Sequence, residues 1–496
     1  MRQHVPGPED GGVTEIITGL YLSPPEFLVL LGALALMAVR WLPPAARPRA
    51  TIAAGAVLVP SVLVLGAVGV RWQLLPVLAG AAAAAPSALS PLLRRRTGRP
   101  AWRARWWLAL PGSVACAGLI AAGPVAAWAF PVPVFPEPSG RFAVGTRVVQ
   151  WTDPSRPESF TADPHDRRTV VVQLWYPARE SPAGVRRAQY LGRTEHEART
   201  VSDALAREAG LPGFLVDGVP RAHTHAVFDA PVTGGGGRFP LVLFSPGSGG
   251  VRTQNTAWAE ELASHGYVVA ALDHPYDSAV VVLSDGRTIR TRTTSTGDRA
   301  KDDESAAGWT AVRAADLRFV LTRLERLDRG ETPGPLTGRL DTGRVAVTGH
   351  SMGGAAALQA ARQDRRFDAV IDLDGYPHGP ASPVLHQPTL ALTQAITPET
   401  DPRYLPRLTG ALRRSTTTSY LLTVPGAAHL TFMDGPLYLP PVPSIVGSLG
   451  RAESPHVVAA TTLAFLDATL RRTPGDLAGA LSAYGDLSVH HPDGRR

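Results

Sequence analysis

The stretch RVAVTGHSMGGAAALQAAR, residues 344–362, decides the fold class of this 496-residue chain. Its first part, Arg344–Thr348, is a short apolar run that predicts a buried strand. Its last part, Met352–Arg362, consists largely of small residues and predicts a helix that packs closely against that strand. Ser351 stands between them, with a glycine two residues away on each side. It could cap the helix or be a nucleophile raised on a sharp strand-to-helix turn. The flanking strand and helix favour the nucleophile.

The alternation of strand and helix continues on both sides of this turn. Strands are predicted at 239–245, 266–273, 344–348, 367–374, 387–394 and 419–424, and helices at 255–265, 305–327, 353–362 and 457–470. Such alternation predicts an α/β protein with a mainly parallel sheet and helices on both faces. Together with the serine turn it is typical of the α/β-hydrolase fold. Catalytic groups should then collect at the carboxyl ends of the strands.

A serine hydroxyl becomes a good nucleophile only when a base removes its proton. In this fold the chain order is serine, acid, histidine. His429 lies in PGAAHLTF, a loop of small residues after the last predicted strand and before the last helix. The other histidines after Ser351 lie in proline-rich loops, at a helix start or near the C-terminus. His429 is therefore the candidate base.

The acid that orients the histidine has four candidates. Asp372 and Asp374 end the strand after the serine helix, whereas Glu399 and Asp401 follow the next strand. Asp372 and Asp374 share one face of their strand, so alternation does not choose between them. The position of Asp374 at the carboxyl end, directly before Gly375, favours it.

Acyl transfer also needs two preorganised N–H groups for the oxyanion. One is expected from Met352, directly after the candidate nucleophile. The other should come from the loop FSPGSGG after an earlier strand. Pro246 cannot donate there, but Ser248 and Gly249 can.

The first 130 residues differ from the rest of the chain in composition. Charged residues are few there, and apolar segments of about 20 residues, the length that crosses a bilayer, recur. Four segments are predicted to span a membrane: Tyr21–Val39, Thr51–Val70, Gln73–Leu93 and Trp106–Phe130. Glu26, near the start of the first, is expected to reach the membrane interface. A buried soluble domain is the alternative, but it seldom needs consecutive segments of this length. The acidic N-terminus does not fit a cleavable signal peptide.

Arginine placement orients these segments. The first and third breaks carry most of the arginines: Arg40, Arg47, Arg49, and Arg94, Arg95, Arg96, Arg99, Arg103, Arg105. The second break has only Arg71. Arginine-rich loops stay in the cytoplasm, so everything after Phe130 is expected to be outside, in a multi-pass cell-membrane protein with an extracytoplasmic catalytic domain. The net charge of +7 is then mainly a topology signal, and no nucleic-acid partner is expected.

Proline content marks the end of the membrane region, residues 1–130. Residues 131–144 are predicted to form a stiff linker to a catalytic domain at 145–471. That domain should open with strands at about 146–151 and 169–176, followed by a polar, helix-prone insertion at 179–227. Residues 472–496 are expected to form a polar tail. The single cysteine, Cys116, permits no intramolecular disulfide.

Three runs of the chain resemble a known family. Residues 239–275, residues 344–379 and VPGAAHLTF at 424–432 are similar to the platelet-activating factor acetylhydrolase family of the plasma type and its bacterial relatives. Over 145–471 this resemblance implies an α/β-hydrolase that removes short or oxidised acyl chains from phospholipids without calcium, and no cofactor or metal is expected. The site residues that it implies are Ser351 as nucleophile, His429 as base, Asp374 as acid, and the N–H groups of Ser248 and Met352.

Other hypotheses remain beside this one. The chain has Pro246-Gly247 where mammalian members of the family have His-Gly, and similar Ser-Pro-Gly and GHSMGG motifs occur in actinobacterial cutinases and polyester hydrolases. In those enzymes the acid would correspond to Asp401 or Glu399. The leading hypothesis is a membrane-anchored serine ester hydrolase that forms an acyl-enzyme and meets a phospholipid or small-molecule ester at the bilayer. The alternatives are a cutinase-like or general lipid esterase, and a non-catalytic membrane protein with a hydrolase-like binding domain. The sequence does not indicate the oligomeric state.

Overall fold

A computed structural model gives the fold. It describes residues 16–17, 19, 21–97, 106–182, 184–235, 237–293, 296–378, 384–398 and 400–492, without the side chains of 94–97, 106–108 and 299. The chain forms two compact units. The N-terminal unit contains Met1–Val134 and Phe214–Val219, and the C-terminal unit contains Phe135–Gly213 and Pro220–Arg496.

The N-terminal unit is built from long apolar helices. They are α1 (Pro24–Ala38), α2 (Arg47–Val68), α3 (Leu75–Thr97) and α4 (Trp106–Ala129), with short 3₁₀ turns at Val39–Trp41 and Trp72–Leu74. Four helical segments in the described residues are long and apolar enough to cross a membrane, and they coincide closely with the predicted spans: Pro24–Trp41, Arg47–Val68, Trp72–Leu93 and Ala109–Ala129.

Small residues let these helices approach closely. A methyl group added to Gly123 of α4 would lie 2.3 Å from Cγ2 of Val77 in α3. One added to Gly32 of α1 would lie 3.0 Å from Cβ of Leu58 in α2. In lipid the hydrophobic effect does not drive helices together, and close backbone approach at small residues such as glycine is then a common basis of helix association.

The Glu26 side chain, which was expected near the membrane interface, is turned inward in the N-terminal unit. The Glu26 side chain is buried, and its Oε2 lies 3.2 Å from Nη1 of Arg71, which is also buried. Its Oε2 also accepts a hydrogen bond of 2.7 Å from the N–H of Ser23, at the N-terminus of α1. An isolated charge among apolar helices is costly, so the carboxylate turns inward to a partner.

The C-terminal unit is organised around a ten-stranded sheet. The strands of the unit are β1 (Ala143–Pro157), β2 (Arg167–Ala178), β3 (Val227–Phe228), β4 (Phe239–Ser245), β5 (Val268–Asp273), β6 (Val280–Val282), β7 (Thr288–Arg290), β8 (Leu340–His350), β9 (Ala369–Leu373), β10 (Thr389–Thr393), β11 (Ser419–Thr423) and β12 (Asp486–His490). The order in the large sheet is β12-β11-β10-β9-β8-β4-β5-β2-β1-β3, and β6 and β7 form a separate hairpin.

The centre of the sheet is parallel, as the sequence predicts. The pairs β11–β10, β10–β9, β9–β8, β8–β4 and β4–β5 are all parallel. The outer pairs β5–β2, β2–β1 and β11–β12 are antiparallel. The carboxyl ends of β4, β8, β9 and β11 therefore meet along one edge, where the candidate site residues follow.

Helices cover both faces of this sheet. The helices of the unit are α5 (Glu195–Glu208), α6 (Thr256–Ser264), α7 (Arg299–Asp328), α8 (Met352–Gln363), α9 (Tyr404–Arg413), α10 (Gly435–Tyr438), α11 (Pro443–Val446), α12 (Gly450–Thr469) and α13 (Leu477–Ser482). Along β4, Leu241 and Leu243 pack with α7, α8 and α9, whereas Val242 and Phe244 pack with α6 and α12. The period of two in a strand thus divides the apolar residues between two cores.

The C-terminal segment, residues 472–496, was predicted to be a polar tail, but part of it forms regular secondary structure. Residues 477–482 form α13, and 486–490 form β12, which pairs antiparallel with β11 at the edge of the sheet. Only Leu481 of α13 is fully buried, and the residues of β12 are exposed or half-buried. An edge strand needs little apolar periodicity, so the sequence pattern carries a weak signal here.

Candidate active site

Ser351 lies on a strained turn between β8 and α8. Its backbone has φ 56° and ψ −121°, a conformation that a non-glycine residue rarely adopts. The neighbouring glycines make the turn sterically possible. A methyl group on Gly349 would lie 2.2 Å from the Gly353 carbonyl oxygen, and one on Gly353 would lie 2.0 Å from that of Ser245. The glycines of GHSMGG are thus required by the contact of β8 and α8 with the end of β4.

Asp374 and His429 are brought together from different loops. Nδ1 of His429 lies 2.6 Å from Oδ2 of Asp374. A carboxylate there accepts the Nδ1 proton, which leaves Nε2 of the ring unprotonated in neutral histidine. The Asp374 side chain is only 1% exposed, whereas that of His429 is 42% exposed. The pair therefore has a buried acid and a base that solvent can reach.

The second oxygen of Asp374 is held by the loop after β10 and by α9. Oδ1 accepts hydrogen bonds of 2.9 Å from the N–H of Gln394 and 2.6 Å from the hydroxyl of Tyr404. Burial alone would raise the pKa of Asp374, but its hydrogen bonds, above all that with His429, outweigh burial and lower it. Asp374 is thus ionised, and its orientation toward the histidine is fixed.

Asp372 is placed differently from Asp374. Its Oδ1 accepts a hydrogen bond of 3.0 Å from the N–H of Gly375, and its Oδ2 has no partner among the described residues. Burial, and next the negative charge of Asp374, raise the pKa of Asp372 well above its usual range. Asp372 thus braces the turn after β9 and does not contact His429.

Of the two acid candidates after β10, Asp401 is bonded to residues other than His429. Asp401 forms an ion pair of 2.7 Å with Arg403 and accepts a hydrogen bond of 3.1 Å from the hydroxyl of Tyr376. Glu399 lies outside the described residues.

The turn after β4 lies against Ser351. A methyl group on Gly247 would lie 3.5 Å from Cβ of Ser351. Within the described part of the chain, the N–H of neither Ser248 nor Met352 donates to another residue outside regular helix or strand bonding. Ser248 is exposed and Met352 is half-buried, so both groups can meet a ligand. Met352 follows Ser351 in the chain, and Ser248 follows Gly247, the residue of the turn that lies close to Ser351.

A chain of hydrogen bonds joins this turn to the histidine loop. The N–H of Gly247 donates to Oε1 of Gln254 over 3.1 Å, and Nε2 of Gln254 lies 2.9 Å from Nδ1 of His350. Nε2 of His350 in turn lies 3.0 Å from the carbonyl oxygen of His429. Because the Gln254 amide donates, Nδ1 of His350 accepts and its Nε2–H donates. Burial, and next the positive charge of His429, lower the pKa of His350 to about 3, so this ring is neutral.

Sequence analysis missed the roles of Gln254 and His350. His350 is the variable residue of the G-x-S-x-G motif, and Gln254 belongs to a loop with no motif of its own. Their positions indicate nothing without the fold, because the bond between them joins residues 96 positions apart.

A second Ser–His–Asp arrangement occurs deeper in the unit. Oγ of Ser245 lies 2.9 Å from Nε2 of His274, and Nδ1 of His274 lies 2.9 Å from Oδ2 of Asp316. All three residues are 0% exposed. A serine that no substrate can reach is a structural group, so this cluster is not an alternative active site.

The insertion between β2 and β4 lies beside the turn after β4. Glu197 of α5 forms an ion pair of 2.7 Å with Arg252, which also pairs with Asp273 at the end of β5. A methyl group on Gly249 would lie 3.7 Å from Cγ of Glu208, at the C-terminus of α5. Helix α5 therefore forms one wall of the region around Ser351.

The described residues contain no group of three or more histidine, cysteine, aspartate or glutamate side chains arranged to hold a metal ion.

Known proteins resemble this chain over the same region. Residues 129–473 match the family described as platelet-activating factor acetylhydrolase, isoform II. A probable 1-alkyl-2-acetylglycerophosphocholine esterase of Arthroderma benhamiae is 28% identical over 250 residues, 49% of this chain and 59% of that protein. A platelet-activating factor acetylhydrolase of Cavia porcellus is 31% identical over 159 residues, 28% of this chain and 35% of that protein. The chain thus spans less than two thirds of either relative.

A solved structure covers more of the fold. A ferulic acid esterase from Streptomyces cinnamoneus is 32% identical, superposes with a TM-score of 0.56, and is matched over 71% of this chain and 98% of its own. These relatives are all named as ester hydrolases, and the family match extends over well over half of the chain. The chain belongs to the platelet-activating factor acetylhydrolase, isoform II, family and is an esterase-type hydrolase.

Proposed function

We propose that this protein is a membrane-anchored serine esterase that cleaves short-chain or oxidised acyl groups from phospholipids through a Ser351–His429–Asp374 triad. The observation that carries the triad is the 2.6 Å contact between His429 Nδ1 and the buried Asp374 carboxylate. Ser351, on its strained turn, follows His350, whose Nε2 lies 3.0 Å from the His429 carbonyl oxygen. These are the parts and the relative order that acyl transfer by serine requires.

The proposed reaction has two stages, acylation of Ser351 and hydrolysis of the acyl-enzyme. Ser351 Oγ attacks the ester carbonyl carbon while His429 Nε2 takes the hydroxyl proton, and Asp374 stabilises the resulting imidazolium. Collapse of the tetrahedral intermediate breaks the bond to the alcohol, which leaves with the proton from His429. Water then attacks the acyl-enzyme with its proton going to His429, and the bond to Oγ breaks as Ser351 regains that proton. The net products are an alcohol and a carboxylic acid.

Two N–H groups are proposed to hold the oxyanion, those of Ser248 and Met352. Met352 is next to Ser351 in the chain and Ser248 is next to Gly247, which lies close to Ser351, and among the described residues neither N–H donates to an acceptor outside regular helix or strand bonding. Such preorganised donors stabilise charge that develops only in the transition state, and they need no rearrangement when it forms.

The substrate class rests on the relatives and on the N-terminal unit. Two relatives are named for an acetylated ether phospholipid, and the helices before the catalytic region are long enough to hold it at a bilayer. The ferulic acid esterase favours a second candidate, a soluble aromatic ester, because it matches the C-terminal unit over most of its own length. The family assignment as an esterase argues against a purely binding role.

The substrate is best tested by comparing two ester series. The purified protein in detergent would be assayed with 2-acyl glycerophosphocholines of increasing acyl length and with methyl ferulate, and Ser351→Ala would be the matched control. We expect kcat/KM to be highest for the acetyl phospholipid and to fall with chain length. A preference for methyl ferulate would instead support the aromatic-ester function, and equal hydrolysis by Ser351→Ala would contradict the triad.

A further inference from the structure

A buried arginine holds the turn that carries Ser248. Arg313, on α7, is 0% exposed. Its Nη2 donates a hydrogen bond of 3.0 Å to the carbonyl oxygen of Gly247, and its Nη1 donates to that of Pro246. Two successive carbonyl groups of the turn therefore point at one guanidinium group.

This contact determines where the next N–H points. In a trans peptide the carbonyl and the following N–H lie in one plane and point in opposite directions. Because the Gly247 carbonyl points into the interior at Arg313, the N–H of Ser248 must point the other way. That direction is consistent with the free N–H of Ser248, which has no protein acceptor in the described residues, and with the position of Ser248 at the surface.

The guanidinium group is itself fixed from the other side. Nε and Nη2 of Arg313 donate to the two carboxylate oxygens of Asp277, with Nη2 at 2.7 Å from Oδ1. Asp277 is 0% exposed and lies in the turn after β5. The remaining N–H groups of Arg313 point at the turn after β4. A planar guanidinium group can bind a carboxylate and a turn at once in this way, whereas a lysine ammonium cannot.

The buried Ser245–His274–Asp316 cluster completes the support. Nη1 of Arg313 lies 3.3 Å from Oγ of Ser245, which is bonded to His274. On its far side Asp316 forms an ion pair of 2.7 Å with Arg168. The turn that carries the proposed oxyanion donor thus rests on a fully bonded polar network, and buried networks of this kind are rigid.

We propose that Arg313 is a positioning residue for ester hydrolysis, which fixes the Ser248 N–H in the direction of the oxyanion by binding the carbonyl groups of Pro246 and Gly247. The inference rests on the proposed function, because it assumes that the Ser248 N–H stabilises the transition state. Without Arg313 the Gly247–Ser248 peptide can rotate, since glycine permits many backbone conformations. The donor is then no longer preorganised, which is what makes such groups effective.

The test distinguishes a changed orientation of the Ser248 N–H from a general loss of protein stability. Arg313→Lys would be purified in detergent, and its active sites would be counted by stoichiometric reaction with a fluorophosphonate. Per active site, we expect kcat to fall about 10²-fold, as on loss of one oxyanion donor, with KM within about threefold of wild type. The affinity for a trifluoromethyl ketone, which mimics the tetrahedral intermediate, should fall by the same factor as kcat/KM. A full kcat per active site, or an unchanged affinity for the ketone, would overturn the inference.

Arg168→Lys is the matched control. Arg168 is also a buried arginine of the same network, and it donates 3.0 Å to a backbone carbonyl, that of Pro275, which is not in the turn after β4. We expect a similar loss of thermal stability in Arg168→Lys but an unchanged kcat per active site. A loss of kcat as large as that of Arg313→Lys would mean that any damage to the network lowers activity, and would contradict the specific role.

A second variant serves if Arg313→Lys does not fold. Asp277→Asn keeps the guanidinium group but removes the charge that holds it, so kcat and the ketone affinity should fall together by about tenfold. Unchanged values would overturn the inference. Different results would contradict the proposed function itself: a wild-type protein that does not react with the fluorophosphonate, or a Ser351→Ala variant that remains active.

Discussion

Ser351 keeps a backbone conformation with φ 56° that would relax if the surrounding contacts allowed it. Strain of this kind costs about 1–3 kcal/mol and persists only where packing enforces it. Here the close contacts of Gly349 and Gly353 enforce it. At this scale the account depends on a few side chains whose replacement has distinct consequences.

Asp374→Asn should lose most of the esterase activity. Loss of the carboxylate behind a catalytic histidine costs about 10⁴ in rate, because the ring is left in the wrong tautomer and its cation is not stabilised. Steady-state kinetics on a chromogenic acetyl ester would measure the effect.

Asp401→Asn and Asp372→Asn are its controls. Asp401 is bonded to Arg403 and Tyr376, so Asp401→Asn should keep nearly full activity. Asp372→Asn should lower stability more than rate, because Asp372 braces the turn after β9. If Asp401→Asn were the inactive variant, the acid would follow β10, as the cutinase-like hypothesis requires.

His350 should make the protein less stable in acid. Its pKa is about 3 in the folded protein against an ordinary 6.5, owing to burial and then to the charge of His429. Below about pH 6.5 the unfolded chain therefore binds a proton that the folded protein does not. The stability that comes from the neutral ring is complete above that pH and is lost as the pH falls toward 3, by at most about 1.4 kcal/mol per pH unit.

The measurement is the unfolding temperature between pH 7 and pH 4. The groups facing the ring are Gln254 and His429, with Asp374 beyond, and they stay in place in His350→Gln. We expect a smaller decrease for His350→Gln than for wild type, and the exposed His386→Gln is the control. Equal decreases in wild type and His350→Gln would show that another group is responsible.

The residues that could be predicted are those whose role follows from a local pattern. Ser351 lies in a strand-to-helix motif and His429 lies in the loop after the last predicted strand, so both can be singled out from the sequence. Strand alternation cannot choose between Asp372 and Asp374, because it puts both side chains on one face. In the structure Asp374 has a positive φ of 56°, so its backbone departs from strand geometry and the two side chains differ in direction. The role of Arg313 could not be predicted from the sequence, because the carbonyl groups that it binds lie more than sixty positions away in the chain.

At the scale of elements, the ends of the sheet are less predictable than its centre. The central parallel strands β4 and β9 are fully buried and are largely continuous apolar runs, whereas β12 is a partly exposed edge strand after a polar segment. Helix α7 begins at Arg299, six residues before the predicted 305, because its polar first turn is capped by the Asp298 side chain. Caps and edge strands depend on local polar contacts that hydrophobic periodicity does not report.

Helix α1 should depend on the ion pair between Glu26 and Arg71. Removing one partner of a buried pair leaves an uncompensated charge and costs about 3–5 kcal/mol. Glu26→Gln should therefore lower the thermal unfolding temperature of the N-terminal unit, measured in detergent by circular dichroism at a helical wavelength.

The double variant Glu26→Leu/Arg71→Met is the comparison for that experiment. Replacing both charges by apolar side chains removes the desolvation penalty, so stability should recover most of the loss. A double variant less stable than Glu26→Gln would mean that the charges themselves are needed.

The whole molecule combines a helical region with an esterase unit, and its topology remains a prediction. The second break between apolar segments carries a single arginine, Arg71. The arginine excess then lies in the first and third breaks, although most of the cluster at 94–105 lies outside the described residues. From this distribution the positive-inside rule predicts that the C-terminal unit lies outside the cytoplasm.

Protease access tests this topology. A tag after Arg496 should be cleaved in intact spheroplasts, whereas a tag inserted between Arg96 and Arg99 should be protected until the membrane is opened. The opposite pattern would place the esterase unit in the cytoplasm.

The central claim is that Ser351 is an activated nucleophile. The most direct measurement is labelling of the full-length protein with a fluorophosphonate, followed by mass spectrometry of its peptides. The account predicts one adduct, on Ser351, formed rapidly by wild type, absent in Ser351→Ala and strongly slowed in His429→Gln. No adduct on wild type, or an adduct on another serine that persists in Ser351→Ala, would contradict it.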